Sequence, residues 1–347
     1  MKNAKFLIIR LSSIGDVILT SPLVRQLRER FPAAQIDFLI RREYADLVRY
    51  NPHLSNILEL DVRGGRAELK MMKTRLREAG YNAILDLHGN FRSVFLRSFP
   101  NRPPVYKIRK NQFPRFLLVK FKINLYRRLY GHPLSAAEKY LRAAAPLGLS
   151  PGDLRTELHL PAEAEKKGEA VWQELSRKNF RVVMAPGARH FTKRWPAPYY
   201  AELIRALYEK RGWRTLLVGG PDELQTIKEI QRRTGNEIQQ SRAGELSLLE
   251  TFAVMRRAPL FISNDSGLMH AAAAFRIPQI AIFGSTVQEL GFFPLNPNAR
   301  VLENTGLGCR PCSHIGRASC PKGHFKCMRE ITPARVMEEI GEDALKE

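Results

Sequence analysis

The sequence predicts an α/β protein made of two Rossmann-like domains in tandem. Short apolar runs of strand length alternate with stretches of helical periodicity, which is the grammar of a parallel, doubly wound sheet. That alternation lapses once, near the middle of the chain, and the 347 residues suit two domains. With 44% hydrophobic and 26% charged residues the chain can build full cores, which excludes disorder, collagen-like sequence and a stapled mini-protein.

The elements follow in order. Residues 5–10 form an apolar strand, 11–16 a small polar turn and 17–30 a helix. Further strands are expected at 36–40, 57–60 and 83–87, with helices at 43–50 and 67–79. A Pro, Gly and charge-rich passage over 147–167 marks the boundary, so the first domain is 1–155 and the second 156–332. The second repeats the pattern with strands at 181–184, 215–218, 260–263 and 279–283. Its helices are expected at 198–211, 223–234, 248–257 and 267–275. A last helix over 333–345, within a terminal segment 333–347, is placed to pack back across the domains.

No run approaches the ~18 to 20 apolar residues needed to cross a bilayer. Phe6-Leu7-Ile8-Ile9 before Arg10 is too short for a secretory core, so a cytoplasmic protein is expected. The net charge of +22 and pI of about 10.2 favour polyanionic partners: nucleic acid, anionic lipid or phosphorylated substrates. Residues 91–142 carry 13 Lys and Arg against one acidic residue, Glu138, interleaved with Phe and Tyr. Basic residues with aromatics suit single-stranded nucleic acid. No RNA- or DNA-binding motif accompanies them, so nucleic acid is not the expected partner.

In open α/β sheets, ligands collect at the carboxyl ends of strands. Three loops there stand out. After the strand 260–263, Asn264-Asp265-Ser266-Gly267 opens a helix whose free N–H groups suit a phosphate, with the Ser266 hydroxyl added. Asp265 or Ser266 as a plain helix cap fits the same residues. After 181–184, the loop Ala185-Pro186-Gly187-Ala188-Arg189-His190-Phe191-Thr192-Lys193-Arg194-Trp195-Pro196 sets three cations beside a Gly turn, suited to a diphosphate or to simple solvation. Gly219-Gly220-Pro221-Asp222-Glu223 offers close backbone approach and a carboxylate for ribose hydroxyls, or an ordinary turn.

Absences narrow the class. There is no G-x-G-x-x-G after the first strand and no G-x-x-x-x-G-K-[ST], which argues against dinucleotide oxidoreductases and Walker-type ATPases. No D-x-D pair stands ready to hold a divalent cation on a nucleotide diphosphate. Cations and helix ends must do that work, so no cofactor is expected to be required for catalysis.

Together, Ser12-Ser13-Ile14-Gly15-Asp16 with Thr20 and Pro22, Pro186-Gly187-Ala188 with Lys193-Arg194-Trp195-Pro196, and Asn264-Asp265-Ser266-Gly267 with His270 resemble glycosyltransferase family 9. The resemblance spans residues 5 to about 335 and is strongest to the lipopolysaccharide heptosyltransferases, type II more than type I. It implies a GT-B fold, two Rossmann-like domains facing across a cleft, with an acceptor-binding amino domain and a nucleotide-sugar-binding carboxyl domain. The implied reaction is metal-independent, inverting transfer of a heptose from ADP-heptose to an inner-core lipopolysaccharide acceptor. Asp16 matches the family's catalytic carboxylate and Lys193 its phosphate-binding lysine. Asp265-Ser266-Gly267 matches its donor motif, with Ser for Thr at 266. Glu223 is a looser match to a donor-ribose carboxylate, and Arg189 with His270 completes the expected donor set. Ser12, Ser13 and Gly15 shape the acceptor-side loop.

Such a transfer needs a base to take the acceptor hydroxyl's proton and positive groups for the departing diphosphate. Asp16 at a helix start serves as that base, or as a mere N-cap. The expected partners are the nucleotide sugar, a phosphorylated glycolipid and an anionic membrane surface, with the enzyme peripheral on the inner face of the cytoplasmic membrane. The alternatives are a family 9 transferase using another nucleotide sugar, a nucleotide-sugar epimerase and a basic nucleic-acid-binding protein.

All four cysteines fall in one loop. Cys309, Cys312, Cys320 and Cys327 have a C-x2-C-x7-C-x6-C spacing that resembles a structural thiolate zinc site, with His314 and His324 as spare ligands. Four reduced thiols or a disulfide fit as well.

Overall fold

The computed structural model describes residues 4–340. Its first sheet contains β1 (Lys5–Ile9), β2 (Gln35–Arg41), β3 (Asn56–Leu60), β4 (Ala83–Asp86) and β5 (Val105–Lys107), all parallel, in the order β3-β2-β1-β4-β5. The second contains β6 (Phe180–Ala185), β7 (Arg214–Leu217), β8 (Gln239–Ser241), β9 (Leu260–Asn264), β10 (Gln279–Phe283) and β11 (Ala299–Glu303). It too is parallel, ordered β11-β10-β9-β6-β7-β8. In both, strand order reverses beside the first strand, which is the doubly wound arrangement.

Burial on both faces explains the composition of the central strands. Phe6, Leu7, Ile8 and Ile9 of β1 and Val182, Val183 and Met184 of β6 are fully covered, as parallel sheets sandwiched by helices require. The register then sets the loops: Ile9 pairs with Asp86, so the turns after β1 and β4 leave side by side. Ala185 pairs with Ser263, and Asn264 with Ile282, which gathers the turns after β6, β9 and β10.

All eight expected strands are present, and β5, β8 and β11 are added. Two of the three have only three residues, and β8 reads Gln-Gln-Ser, so they carried no apolar run to find. The expected helix at 17–30 is two, Ile14–Ile18 and Ser21–Arg30. Pro22 lacks an N–H and fits only the first turn of the second. The stretch 43–50 forms a 3-10 turn, Arg42–Tyr44, and one short helix, Asp46–Arg49. Helices Phe91–Arg97, Gln112–Phe121, Tyr126–Tyr130, Ala136–Ala143 and Ala162–Ser176 were not anticipated.

The chain divides into two units. One comprises the residues up to Asn111 together with Ser135–His159, the other Gln112–Leu134 together with everything described from Leu160 onward. The expected boundary after residue 155 thus differs by a few residues and omits an excursion. Gln112–Leu134 belongs by packing to the second unit, where Leu118 and Tyr126 share a buried cluster with Leu290. The basic segment 91–142 is therefore shared between the units.

The last described helix, Pro333–Ile340, buries Val336 and Ile340 in the second unit's core with Trp195, Tyr200 and Leu207. Residues 341–347 of the expected terminal segment lie outside the described residues.

Candidate active site

In the first unit, the turn after β1 carries the expected catalytic carboxylate. Ser13 occupies the N-cap position of Ile14–Ile18, and its hydroxyl makes no cap bond. Asp16 is in the first turn of that helix but is held by side chains: Arg10 Nη2 lies 2.6 Å from Oδ1, the Tyr140 hydroxyl donates to Oδ1 at 3.3 Å, and Ser13 Oγ donates to Oδ2 at 3.0 Å. The alternative of Asp16 as an N-cap is therefore not what the structure shows. Its charged neighbour is the Arg10 guanidinium.

Arg10 is a buried fastener. It also donates to the carbonyls of Ser12 (2.8 Å) and Leu87 (2.6 Å), tying the turn after β1 to the turn after β4. That second turn is shaped by Asp86, fully buried, which accepts from the backbone N–H groups of His88 and Gly89, from Ser93 Oγ and from Arg97 Nε. Burial, then the charges of Arg10 and Lys110, push the His88 imidazole down to about 4. It is neutral at physiological pH. Gly15 is buried, Ser12 half-buried and Ser13 exposed.

In the second unit, Lys193 and Asp265 meet. Lys193 Nζ is 2.7 Å from Asp265 Oδ2, and Thr286 Oγ1 donates to the same oxygen at 2.7 Å. The N-cap of Gly267–Ala274 is Ser266, without a side-chain cap bond, and Ser266 Oγ is buried with no partner. Neither residue of the Asp265-Ser266 pair is thus spent on capping, which leaves the helix start and an unused hydroxyl for a ligand.

Asn264 aligns these loops. Its Oδ1 accepts from the Trp195 N–H at 3.0 Å while Nδ2 donates to the Pro186 carbonyl at 2.7 Å. Glu223 joins them: its side chain lies against Gly187, where a Cβ would overlap it, and its Oε2 accepts from the Gly220 N–H at 2.7 Å. Arg189 is exposed on the same loop. Burial and the cations Lys193, Arg189 and Arg194 lower the affinity of His190 for a proton. His270 follows on the helix Gly267–Ala274. It is buried in its helix with its ring edge-on to Phe292, at 6.4 Å between centroids.

Sequence reasoning missed Arg10, Tyr140, Thr286 and Arg310. Thr286 had a signal, because Gly284-Ser285-Thr286 follows β10 with the same small polar chemistry as the other loops. Arg310 had none, standing inside the Cys-rich loop. It is buried, donates to the backbone carbonyls of Gly284, Asn304 and Thr286, and pairs with Glu303 at 2.7 Å.

The thiols around it are all unpaired. Cys327 is buried beside Phe325 and Met328, and burial pushes its thiol up to about 11. Burial likewise raises Cys312, and Cys309 Sγ lies 3.8 Å from His324 Nε2. Among the described residues no group of three or more His, Cys, Asp or Glu side chains is placed to hold a metal ion. The expected tetrahedral arrangement is not formed by the thiols as they stand; at least one serves as core packing, and the bridge their loop provides is Arg310.

Two doubly wound sheets in one chain, each with an acid–cation pair where its strand order reverses, fit the GT-B glycosyltransferases. The chain belongs to glycosyltransferase family 9 (heptosyltransferase), whose signature matches residues 69–321, and it is a glycosyltransferase. It is 27% identical over 361 residues to lipopolysaccharide heptosyltransferase 2 of Escherichia coli (strain K12), covering 99% of each chain. The glycosyl transferase family 9 structure from Veillonella parvula DSM 2008 superposes with a TM-score of 0.78 at 20% identity, covering 99% of this chain and 98% of that one. The E. coli ADP-heptose lps heptosyltransferase II structure gives 0.72 at 22%, with 98% of both covered. The family resemblance read from the loops is borne out.

Proposed function

We propose that this enzyme transfers a heptose with inversion from ADP-heptose to an inner-core lipopolysaccharide acceptor. The observation that carries the reading is the Lys193–Asp265–Thr286 group beside a helix start with an unused Ser266 hydroxyl, in a member of a heptosyltransferase family. The relative's type 2 name and the ADP-heptose in the name of the structural neighbour support the choice of donor.

In this reading Asp16 takes the proton of the acceptor hydroxyl as its oxygen bonds to the anomeric carbon. The anomeric carbon–oxygen bond to the diphosphate breaks from the opposite side, and ADP leaves with the electron pair. Lys193, the N–H groups at Gly267–Ala274 and the Ser266 hydroxyl receive its charge without a metal ion. Glu223 is assigned to the ribose and Arg189 to the outer phosphate.

The acceptor is a phosphorylated glycolipid, and the net charge of +22 favours an anionic membrane surface at the cytoplasmic face. Among the described residues no helix is long and apolar enough to cross a membrane. A structural zinc rests on the cysteine spacing alone. Metal analysis of tag-free protein decides it, and less than about 0.2 zinc per chain would remove it.

A thermal-shift screen of ADP, UDP and GDP sugars followed by product analysis tests the whole. ADP-heptose should give the largest shift and be consumed only when acceptor is present. A larger shift with another nucleotide sugar reassigns the donor, and conversion of donor without acceptor would indicate an epimerase.

A further inference from the structure

Gln112–Leu134, the excursion that joins the second unit, has two unlike faces. Inward, Pro114 and Leu118 lie one turn apart on the helix Gln112–Phe121 and are buried. Leu118 and Tyr126 cluster with Leu290, flanked by Val287 and Phe292. Asn124 Nδ2 donates to Glu289 Oε1 at 2.6 Å and Lys122 Nζ to the Pro311 carbonyl at 2.6 Å. The segment is therefore fastened to the loop that follows Thr286.

Outward, the helix shows its largest apolar side chains to solvent. Phe113 is 67% exposed, Phe116 55% and Phe121 57%, with Ile123 at 48% just beyond. The Phe116 and Phe121 rings meet edge-on at 5.7 Å, forming one aromatic patch. Residues 112–134 contain Arg115, Lys120, Lys122, Arg127 and Arg128 and no acidic residue. Exposed large apolar side chains on a segment whose charges are all positive mark an interaction surface.

We propose that this face is a membrane anchor: Phe113, Phe116 and Phe121 insert among the headgroups and upper acyl chains of an anionic bilayer while Arg and Lys side chains of the same segment bind its phosphates. The inference rests on the membrane-glycolipid reading above and adds two things to it. Attachment is by insertion as well as charge, and the anchor is built on the unit that carries Lys193 and Asp265. An interfacial helix combines these features, apolar on one side and basic at its edges. A second copy of the chain fits poorly, because a self-complementary contact would face the same cations with one another. Single-stranded nucleic acid would use the rings for stacking, yet the exposed Ile123 and the 53%-exposed Leu129 of the same segment offer no ring to stack.

Sedimentation with vesicles tests the anchor. The full chain should bind phosphatidylglycerol–phosphatidylethanolamine vesicles and not phosphatidylcholine ones. The triple variant Phe113→Ser, Phe116→Ser, Phe121→Ser keeps every charge and should bind anionic vesicles at least tenfold more weakly. Separately, Phe116→Trp should gain a blue-shifted emission component on adding anionic vesicles. The proposal is overturned if the triple variant binds as the parent does and the Phe116→Trp emission does not move. It is equally overturned if the parent binds no vesicles and is instead a dimer that the triple variant breaks, or if single-stranded RNA and not lipid is what the three rings retain. Heptose transfer to a de-acylated, water-soluble acceptor separates this from the functional reading. Equal rates for parent and triple variant are expected there. No transfer by either sinks the function and leaves the vesicle result standing, whereas normal transfer with no vesicle binding sinks the anchor alone.

Discussion

Each unit sets one carboxylate against one cation at the point where its strand order reverses, and the two pairs are built the opposite way round. In the first, the cation is the enclosed partner: the Arg10 side chain is 11% exposed and Asp16 20%. In the second, Asp265 is 5% exposed and Lys193 15%. Arg10 distributes its remaining donors over two backbone carbonyls, so it is a fixture and Asp16 is the group offered to a ligand. Asp265 shares an oxygen between Lys193 and Thr286, so there the carboxylate is the fixture and the ammonium, with N–H groups to spare, is offered. Proton transfer from an alcohol calls for a presented base, and a departing diphosphate for a presented cation.

Asp16→Asn breaks the comparison most strongly. The amide oxygen can still accept from Arg10, but the basicity is gone. General-base assistance contributes ~10² to 10⁴-fold, so turnover should fall by that order with donor affinity and melting temperature nearly unchanged. An Asn variant with more than about a tenth of the parent activity would make Asp16 a scaffold residue like Arg10.

The first unit should also be the more acid-sensitive. His88 has its folded-state pKa lowered to about 4 by burial and by Arg10 and Lys110, with Asp16 and Asp86 opposing. The unfolded chain, near the ordinary 6.5, binds the proton more readily between those values, so stability rises with pH from about 4 to 6.5 and is complete above. The stability at stake is up to roughly 3 kcal/mol. His88→Asn should flatten that slope in denaturant titrations between pH 4.5 and 6.5. An identical slope in parent and variant would refute the neutral imidazole.

Lys193→Ala removes the presented cation of the second pair. Losing a charge-assisted contact implies about 1.5 to 3 kcal/mol, or roughly ten- to a hundredfold. On the proposed reading, in which the cation faces the diphosphate in ground and transition states, donor affinity and turnover should both fall. The variant should also melt earlier, since Asp265 is left buried with Thr286 alone. Donor affinity and turnover within twofold of the parent would reduce Lys193 to a structural partner of Asp265.

The legibility of these sites followed the local signal. The strands that carry them were readable because both sheets bury their central strands on two faces, giving unbroken apolar runs such as Phe6-Leu7-Ile8-Ile9. Asp16, Lys193 and Asp265 were readable because small polar turns follow those runs. Arg10 was not, because Leu87, whose carbonyl it binds, and Tyr140, whose ring centroid lies 5.6 Å from its guanidinium, are distant in sequence and only the β1–β4 register brings the first close. The place of Gln112–Leu134 is not legible in the sequence, because sequence order puts it with the first unit, whereas Leu118 and Tyr126 meeting Leu290 join it to the second. The cysteine spacing drew notice to a loop in which the neighbouring Arg310 makes the connections that hold Gly284 and Thr286.

Thr286→Val gives the smallest effect and the sharpest test of which partner is the fixture. Valine keeps the shape and volume of threonine and deletes only the hydroxyl that donates to Asp265 Oδ2. A neutral side-chain hydrogen bond is worth about 0.5 to 1.5 kcal/mol, and one to a charged group somewhat more. Lys193 still neutralises the carboxylate, so the chain should fold with a modest loss of melting temperature. If Asp265 positions Lys193, loosening the carboxylate lets the ammonium drift from the diphosphate, and ADP affinity by calorimetry should fall roughly three- to tenfold. Lys193→Ala combined with Thr286→Val should then be no worse in ADP affinity than Lys193→Ala alone, because the hydroxyl acts only through the pair. Additive losses would mean that Thr286 touches the nucleotide itself, and that the second pair is not held the way the first one is.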